Sequence, residues 1–205
     1  MVSRRFGMMA AAVMVLGLGG CWQQGPTQKG LYTLDKTKRI LIWVDPDPAV
    51  TPPAGWTTNV AEDLAQDLFK YQALDRVVSQ AQLTELKKDQ ERFGTLGIAD
   101  VARETGADVV LYVRVVTLNI TSSSDEALTQ GSAQVLVKVI DSSGKRLWPP
   151  EELEGTEVSA SVLPEYTEKQ DKTEVASMLR VDLVRDIGRL FHAWQKNEST
   201  IRRPK

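Results

Sequence analysis

Residues 108–121 read Asp-Val-Val-Leu-Tyr-Val-Arg-Val-Val-Thr-Leu-Asn-Ile-Thr. So dense a run of β-branched and aromatic side chains loses rotamer freedom in a helix and packs well on a pleated surface, so it reads as one long strand. A strand of this kind is not stable alone, and the rest of the chain must supply its neighbours. Beyond a polar loop at 122–129, Ala133, Val135, Val137 and Val139 alternate with polar residues, which is the pattern of an antiparallel partner with one buried face. Asp141-Ser142-Ser143-Gly144 is a turn signal, after which 145–148 and 156–163 offer two more strands.

Upstream, the texture alternates. Residues 39–44, Arg-Ile-Leu-Ile-Trp-Val, form a short apolar run suited to a buried strand, and 75–79 around Val77-Val78 suggests another. Between them lies a proline-rich segment at 45–56, whose prolines exclude both helix and central strand. Thr57 or Thr58 is placed to cap a helix carrying Val60, Leu64, Leu68 and Tyr71 at helical spacing. Ser79 can cap a second helix with Leu83 and Leu86 inside, and a third over 98–105 is stopped by Gly106. An amphipathic helix over 174–194, with Leu179, Leu183, Ile187, Leu190, Phe191 and Trp194 on its apolar side, closes the domain. Strands joined through a helix run parallel with a right-handed crossover. The expected fold class is therefore α/β: a mixed sheet that starts as a parallel βαβ unit and continues as an antiparallel meander, with helices packed on it.

The N-terminus sets the address. Residues 1–21 run from Arg4-Arg5 through an apolar stretch to Leu18-Gly19-Gly20-Cys21. The apolar part is shorter than the roughly 20 residues that span a bilayer, and the order of basic, apolar and small residues is that of a cleaved leader. The last four residues resemble the lipobox of bacterial lipoproteins, in which the cysteine is acylated. Residues 1–20 are thus expected to be removed, and Cys21 to carry the lipid that partners the membrane. Trp22 in place of aspartate after the cysteine resembles outer-membrane sorting, with the chain facing the periplasm. Cys21 is the only cysteine, so the remaining chain has no thiol for a disulfide, a metal or a nucleophile. Residues 21–37 read as a flexible tether with a reach of roughly 20–25 Å by random-coil scaling. Residues 38–197 form one domain and 198–205 a basic tail.

Chemistry is sparse. Losing Arg4 and Arg5 leaves 23 basic residues against 27 acidic, a net −4, which makes no nucleic-acid footprint. The lone histidine, His192, is expected to pack on the final helix. No Gly-x-Ser-x-Gly elbow, phosphate-binding glycine loop or His-Glu-x-x-His pattern occurs in the mature region. Pairs such as Glu62-Asp63 and Glu151-Glu152 are expected to be solvated. The chain reads as non-catalytic, with no cofactor and no metal, and a carboxylate-dependent hydrolase is the alternative. For a binding module, the partner-binding candidates are Trp56, at the end of the stiff proline-rich loop, and Trp148, before Pro149-Pro150; the competing reading of both is structural, with prolines stiffening a connection and the indoles lying over the core edge. The loop at 122–125 is a third candidate.

Asp75-Arg76-Val77-Val78-Ser79-Gln80-Ala81-Gln82-Leu83, followed by Ile98-Ala99-Asp100-Val101-Ala102-Arg103-Glu104-Thr105-Gly106-Ala107-Asp108-Val109-Val110-Leu111-Tyr112-Val113, is similar to a superfamily of envelope proteins. Its members include the curli secretion lipoprotein, the penicillin-binding-protein activator lipoprotein LpoB and the N-terminal domain of the translocation protein TolB. The likeness covers about residues 39–141. It implies an accessory role in an envelope complex, with another envelope protein such as a peptidoglycan synthase as partner. A ring-forming secretion component, hence a homo-oligomer, is the alternative. The sequence departs from the curli protein in lacking the amphipathic hairpins of a membrane barrel, and from LpoB in its short tether. No site residue carries over from either.

Overall fold

The computed structural model describes residues 26–122, 129–162 and 171–196. Cys21, the basic tail and the loop tip at 123–128 lie outside the described residues. In chain order the elements are β1 (Thr27–Gln28), β2 (Ile40–Pro46), α1 (Trp56–Lys70), α2 (Gln80–Lys87), α3 (Gln90–Phe93) and α4 (Ile98–Thr105). They continue with β3 (Val109–Ser122), β4 (Thr129–Asp141), β5 (Arg146–Trp148), β6 (Thr156–Val162), α5 (Lys172–Gly188) and β7 (Trp194–Gln195).

The expected α/β class is what forms. β2 pairs parallel to β3, from Ile40↔Val109 to Pro46↔Val115, and β3 pairs antiparallel to β4. The far side of β4 holds β6 from Gly131 to Val137, and β5 only at Val139 and Ile140. The second expected strand shrinks to a single parallel bridge, Ile40↔Val77. The Gly-Ala-Asp motif explains how the parallel pair is started. Gly106 takes the left-handed conformation (φ 65°) that ends α4 without a Cβ clash. Ala107 is buried, and Asp108 Oδ2 accepts a 2.8 Å hydrogen bond from the Arg39 backbone N–H at the head of β2.

Each face of β2 and β3 is buried, as parallel strands require. On one face Ile40, Ile42, Val44, Val109, Leu111, Val113 and Val115 meet α1 and α5, and these form the main core. On the other, Leu41, Trp43, Val110 and Tyr112 meet Val78, Leu83 and Val101 from the α2–α4 side. A bulge lies between Val115 and Thr117. Strict alternation would have carried Thr117 and Asn119 into the main core. The extra residue changes the phase, so that Leu118 and Ile120 pack against that core instead.

Two expectations about the chain ends are corrected. The closing helix stops at Gly188, six residues short of Trp194, which pairs in β7. The tether read at 21–37 is docked from Pro26 on. β1 pairs with β7, the Tyr32 N–H donates to Leu190 O, and Leu34 is 2% exposed within the main core. Gly30 permits this strap to lie close: a Cβ there would stand 2.8 Å from the backbone of His192 and Phe191.

Candidate functional site

α1 and α5 lie side by side and run the same way. The Trp56 Nε1–H donates to Ala176 O at 3.0 Å, Asp63 pairs with Arg180 at 3.0 Å, and Asp67 meets His192 just beyond the end of α5. The pair therefore has a near end, where both helices finish and the strap enters, and a far end, where both begin. With 17 residues in α5, the ends stand about 25 Å apart.

The near end is built on the lone histidine. His192 is 9% exposed; its Nε2 lies 3.1 Å from Asp67 Oδ2 and its Nδ1 3.0 Å from Ala193 O. Tyr71 stacks on the ring with centroids 4.0 Å apart and planes 14° from parallel. The imidazole thus joins α1 to the turn that follows α5, and the strap lies against the backbone of that same residue. The histidine is buried as expected, but in a chain segment past the helix, and its partner 125 residues away was not legible.

The far end holds a cavity of 310 Å³ lined by Thr51, Pro52, Pro53, Leu118, Ile120, Lys172 and Thr173. Its walls come from the proline-rich loop, the part of β3 re-phased by the bulge and the first turn of α5. That α5 start is fixed by Asp171, whose carboxylate accepts from the Glu174 N–H while Glu174 accepts from the Asp171 N–H. Prolines hold this rim stiff, so ordering it around a partner costs little conformational entropy.

The two tryptophan candidates belong to the interior. Trp56 is 4% exposed, and Trp148 is 7% exposed between Tyr32 and Phe191, at ring-centroid distances of 6.1 and 5.7 Å. Neither indole is a surface anchor in this conformation, because burial on the main core is what positions each of them. The proline-rich loop itself, the other half of the first candidate, does line the cavity.

A third group of polar side chains occupies the opposite face of the sheet. The Tyr112 hydroxyl donates to Asp45 Oδ2 at 2.8 Å, and burial, then the Asp45 charge, push its ionisation far above the ordinary tyrosine value. Lys87 lies over Trp43 and Phe93, 5.9 and 5.5 Å from the ring centroids, and Lys138 lies 5.2 Å from that of Tyr112. Burial holds both amines below the ordinary lysine value; Asp45 opposes this at Lys87, and Glu154 at Lys138. Arg114 bridges Asp47 at 3.3 Å and Glu154 at 3.1 Å. The Trp43 Nε1–H has no acceptor among the described residues. This cluster and the cavity lie on opposite faces, so its perturbed groups do not open into the cavity. Of the acidic pairs, Asp63 is tied to Arg180 and Glu152 accepts from the Thr156 hydroxyl at 3.1 Å. Among the described residues no group of three or more His, Cys, Asp or Glu is placed to hold a metal, and no helix is long and apolar enough to cross a membrane.

No family model and no curated protein matches the chain, so the resemblance at 75–113 rests on those residues alone. Solved structures do show likeness. The lipoprotein GNA1162 from Neisseria meningitidis is 18% identical over 73% of this chain and 97% of its own, with a TM-score of 0.45. The hypothetical protein CT253 from Chlamydia trachomatis is 15% identical over 73% of this chain and 93% of its own, at 0.43. A PelC dodecamer from Paraburkholderia phytofirmans is 15% identical over 82% of this chain and 99% of its own, at 0.45. Likenesses this distant carry no function across.

Proposed function

We propose that this chain is an envelope lipoprotein, acylated on Cys21, whose α/β domain is a non-catalytic docking module for another envelope protein. The observation that carries the reading is the place where docking begins. Pro26 already accepts from the Lys196 N–H beside the β1–β7 pair. Five residues from Cys21 to Pro26 span at most about 17 Å when fully extended. An anchored domain so connected stays beside its membrane. The partner then has to come to that surface, which disfavours a synthase activator that reaches through the cell wall. The near end is occupied by the strap, and the far end offers a stiff-rimmed cavity with both apolar and polar walls, suited to receive one side chain or turn of a partner.

In-cell photocrosslinking tests this. A photoreactive residue replacing Pro53, on the cavity rim, is expected to trap one or a few envelope proteins. The same residue replacing Val181, exposed on the outer side of α5, is expected to trap none of them. Equal yields from the two positions contradict the docking role. An adduct to a second copy of the chain at the rim favours the ring-forming alternative.

A further inference from the structure

We infer that the near end is a lipid-binding face that seats the domain on an anionic phospholipid surface; this rests on the anchored reading above. Among the described residues five large apolar side chains are exposed, and two of them flank His192: Leu31 at 67%, next to Gly30, and Tyr71 at 37%. Leu31 follows Gly30, which lies against the backbone of His192, and Tyr71 stacks on the His192 ring, so the strap and the last turn of α1 form one surface. Exposed apolar groups gathered in this way mark a site of contact. A tyrosine among them suits the boundary between headgroups and acyl chains, where one end of the ring is wet.

Charge identifies the occupant. Lys29 is exposed next to this surface, Lys70 lies 4.9 Å from the Tyr71 ring centroid, and Lys196 is exposed beside Pro26. Along the strap, residues 26–39 hold Lys29, Lys36, Lys38 and Arg39 against the single acid Asp35. On the helices Asp67 pairs with His192, and Asp186 with Arg185 and Arg189. The strap therefore turns a basic, apolar-tipped stretch toward the anchor. Phosphate headgroups complement that end, and each basic side chain at an anionic surface raises partition about fivefold. Leu31 adds insertion below the headgroup level.

Amine footprinting of the acylated protein in vesicles tests the seating. In phosphatidylcholine vesicles containing phosphatidylglycerol, Lys29, Lys70 and Lys196 are expected to react at least about fivefold more slowly than in phosphatidylcholine alone, as one such contact predicts. Lys172 at the far end should react equally in both. The variant Leu31→Glu should erase the difference while the Lys172 rate and the circular dichroism stay unchanged. Equal rates for all four lysines in the two vesicle types overturn the inference. So does protection seen in native membranes but not in the vesicles, which assigns this end to a protein partner. A chain that floats with neither vesicle overturns the anchored reading and this inference with it.

Discussion

The two ends of the α1–α5 pair are built from different materials. The near end is closed: a β ribbon, an imidazole–carboxylate contact and a stacked tyrosine tie the strap, α1 and the last turn together. The far end is open, with proline backbone and two re-phased β3 side chains around a 310 Å³ cavity. The same difference shows in what each end exposes. Lysines and exposed apolar side chains stand at the near end, and the stiff rim lies at the opposite one, which in the proposed anchored arrangement faces away from the membrane. A small domain on a short leash gains by such a division, since one end can hold position while the other stays free to bind.

Removing the indole that closes the core beneath the far end should have the largest effect. Trp56→Ala loses a fully packed ring and its bond to Ala176 O, and a drop of about 3–5 kcal/mol in unfolding free energy is expected from urea titration. An unchanged midpoint would mean that the indole is not part of the core. Next comes Gly30→Val, which pushes a side chain into the backbone of residues 190–192. A loss of about 1–3 kcal/mol is expected, with faster hydrogen exchange confined to the strap and β7. If the exchange at α5's first turn rises as much, the ends are not separable.

A smaller step sharpens the near end alone. Asp67→Ala leaves the buried His192 ring without its carboxylate and should cost about 1–2 kcal/mol. The cavity rim should keep its crosslinking yield in that variant. The smallest effect concerns pH. Asp141 accepts from the Ser143 hydroxyl, the Ser143 N–H and the Lys145 N–H, and these bonds, the Ser143 hydroxyl foremost, hold its carboxyl below the ordinary value. A depressed folded-state pKa contributes stability that is present above the unfolded value, near 4, and is lost as pH falls through the folded one. Chemical shifts of Ser143 and Lys145 should therefore move only at acid pH, and Asp141→Asn should abolish that transition. Neither end of the helix pair should respond.

Much of the sheet was legible because its signals are local. The β-branched run, the alternation at 133–139 and the Ser79 and Gly106 caps each state their structure within a few residues. The β3 bulge was legible too, though easily passed over: the apolar positions switch from Val109, Leu111, Val113 and Val115 to Leu118 and Ile120, a change of parity that only an inserted residue satisfies. The near end was not. Residues 26–37 look like a tether because their few apolar members, Leu31, Tyr32 and Leu34, follow no period; Leu34 is nonetheless buried in the main core. Leu190, Phe191 and Trp194 keep helical spacing past Gly188, yet the chain leaves the helix there, and Trp194 packs under Arg189 at 4.5 Å instead. Tertiary contacts with distant residues decide such places, and periodicity has no access to them. Trp56 and Trp148 show the same limit. Beside prolines they admit two readings, docking anchor or core-edge residue, and the partners that bury them, Ala176, Tyr32 and Phe191, come from far along the chain.

The central claim is that an anchored domain rests against its membrane, near end inward. Neutron reflectometry of the acylated protein on a supported bilayer measures this directly. The account predicts protein density that begins at the headgroups, with the far end standing about 25 Å or more outward, the length of α5. A water-filled layer between headgroups and protein wider than the roughly 17 Å that five extended residues allow would contradict it.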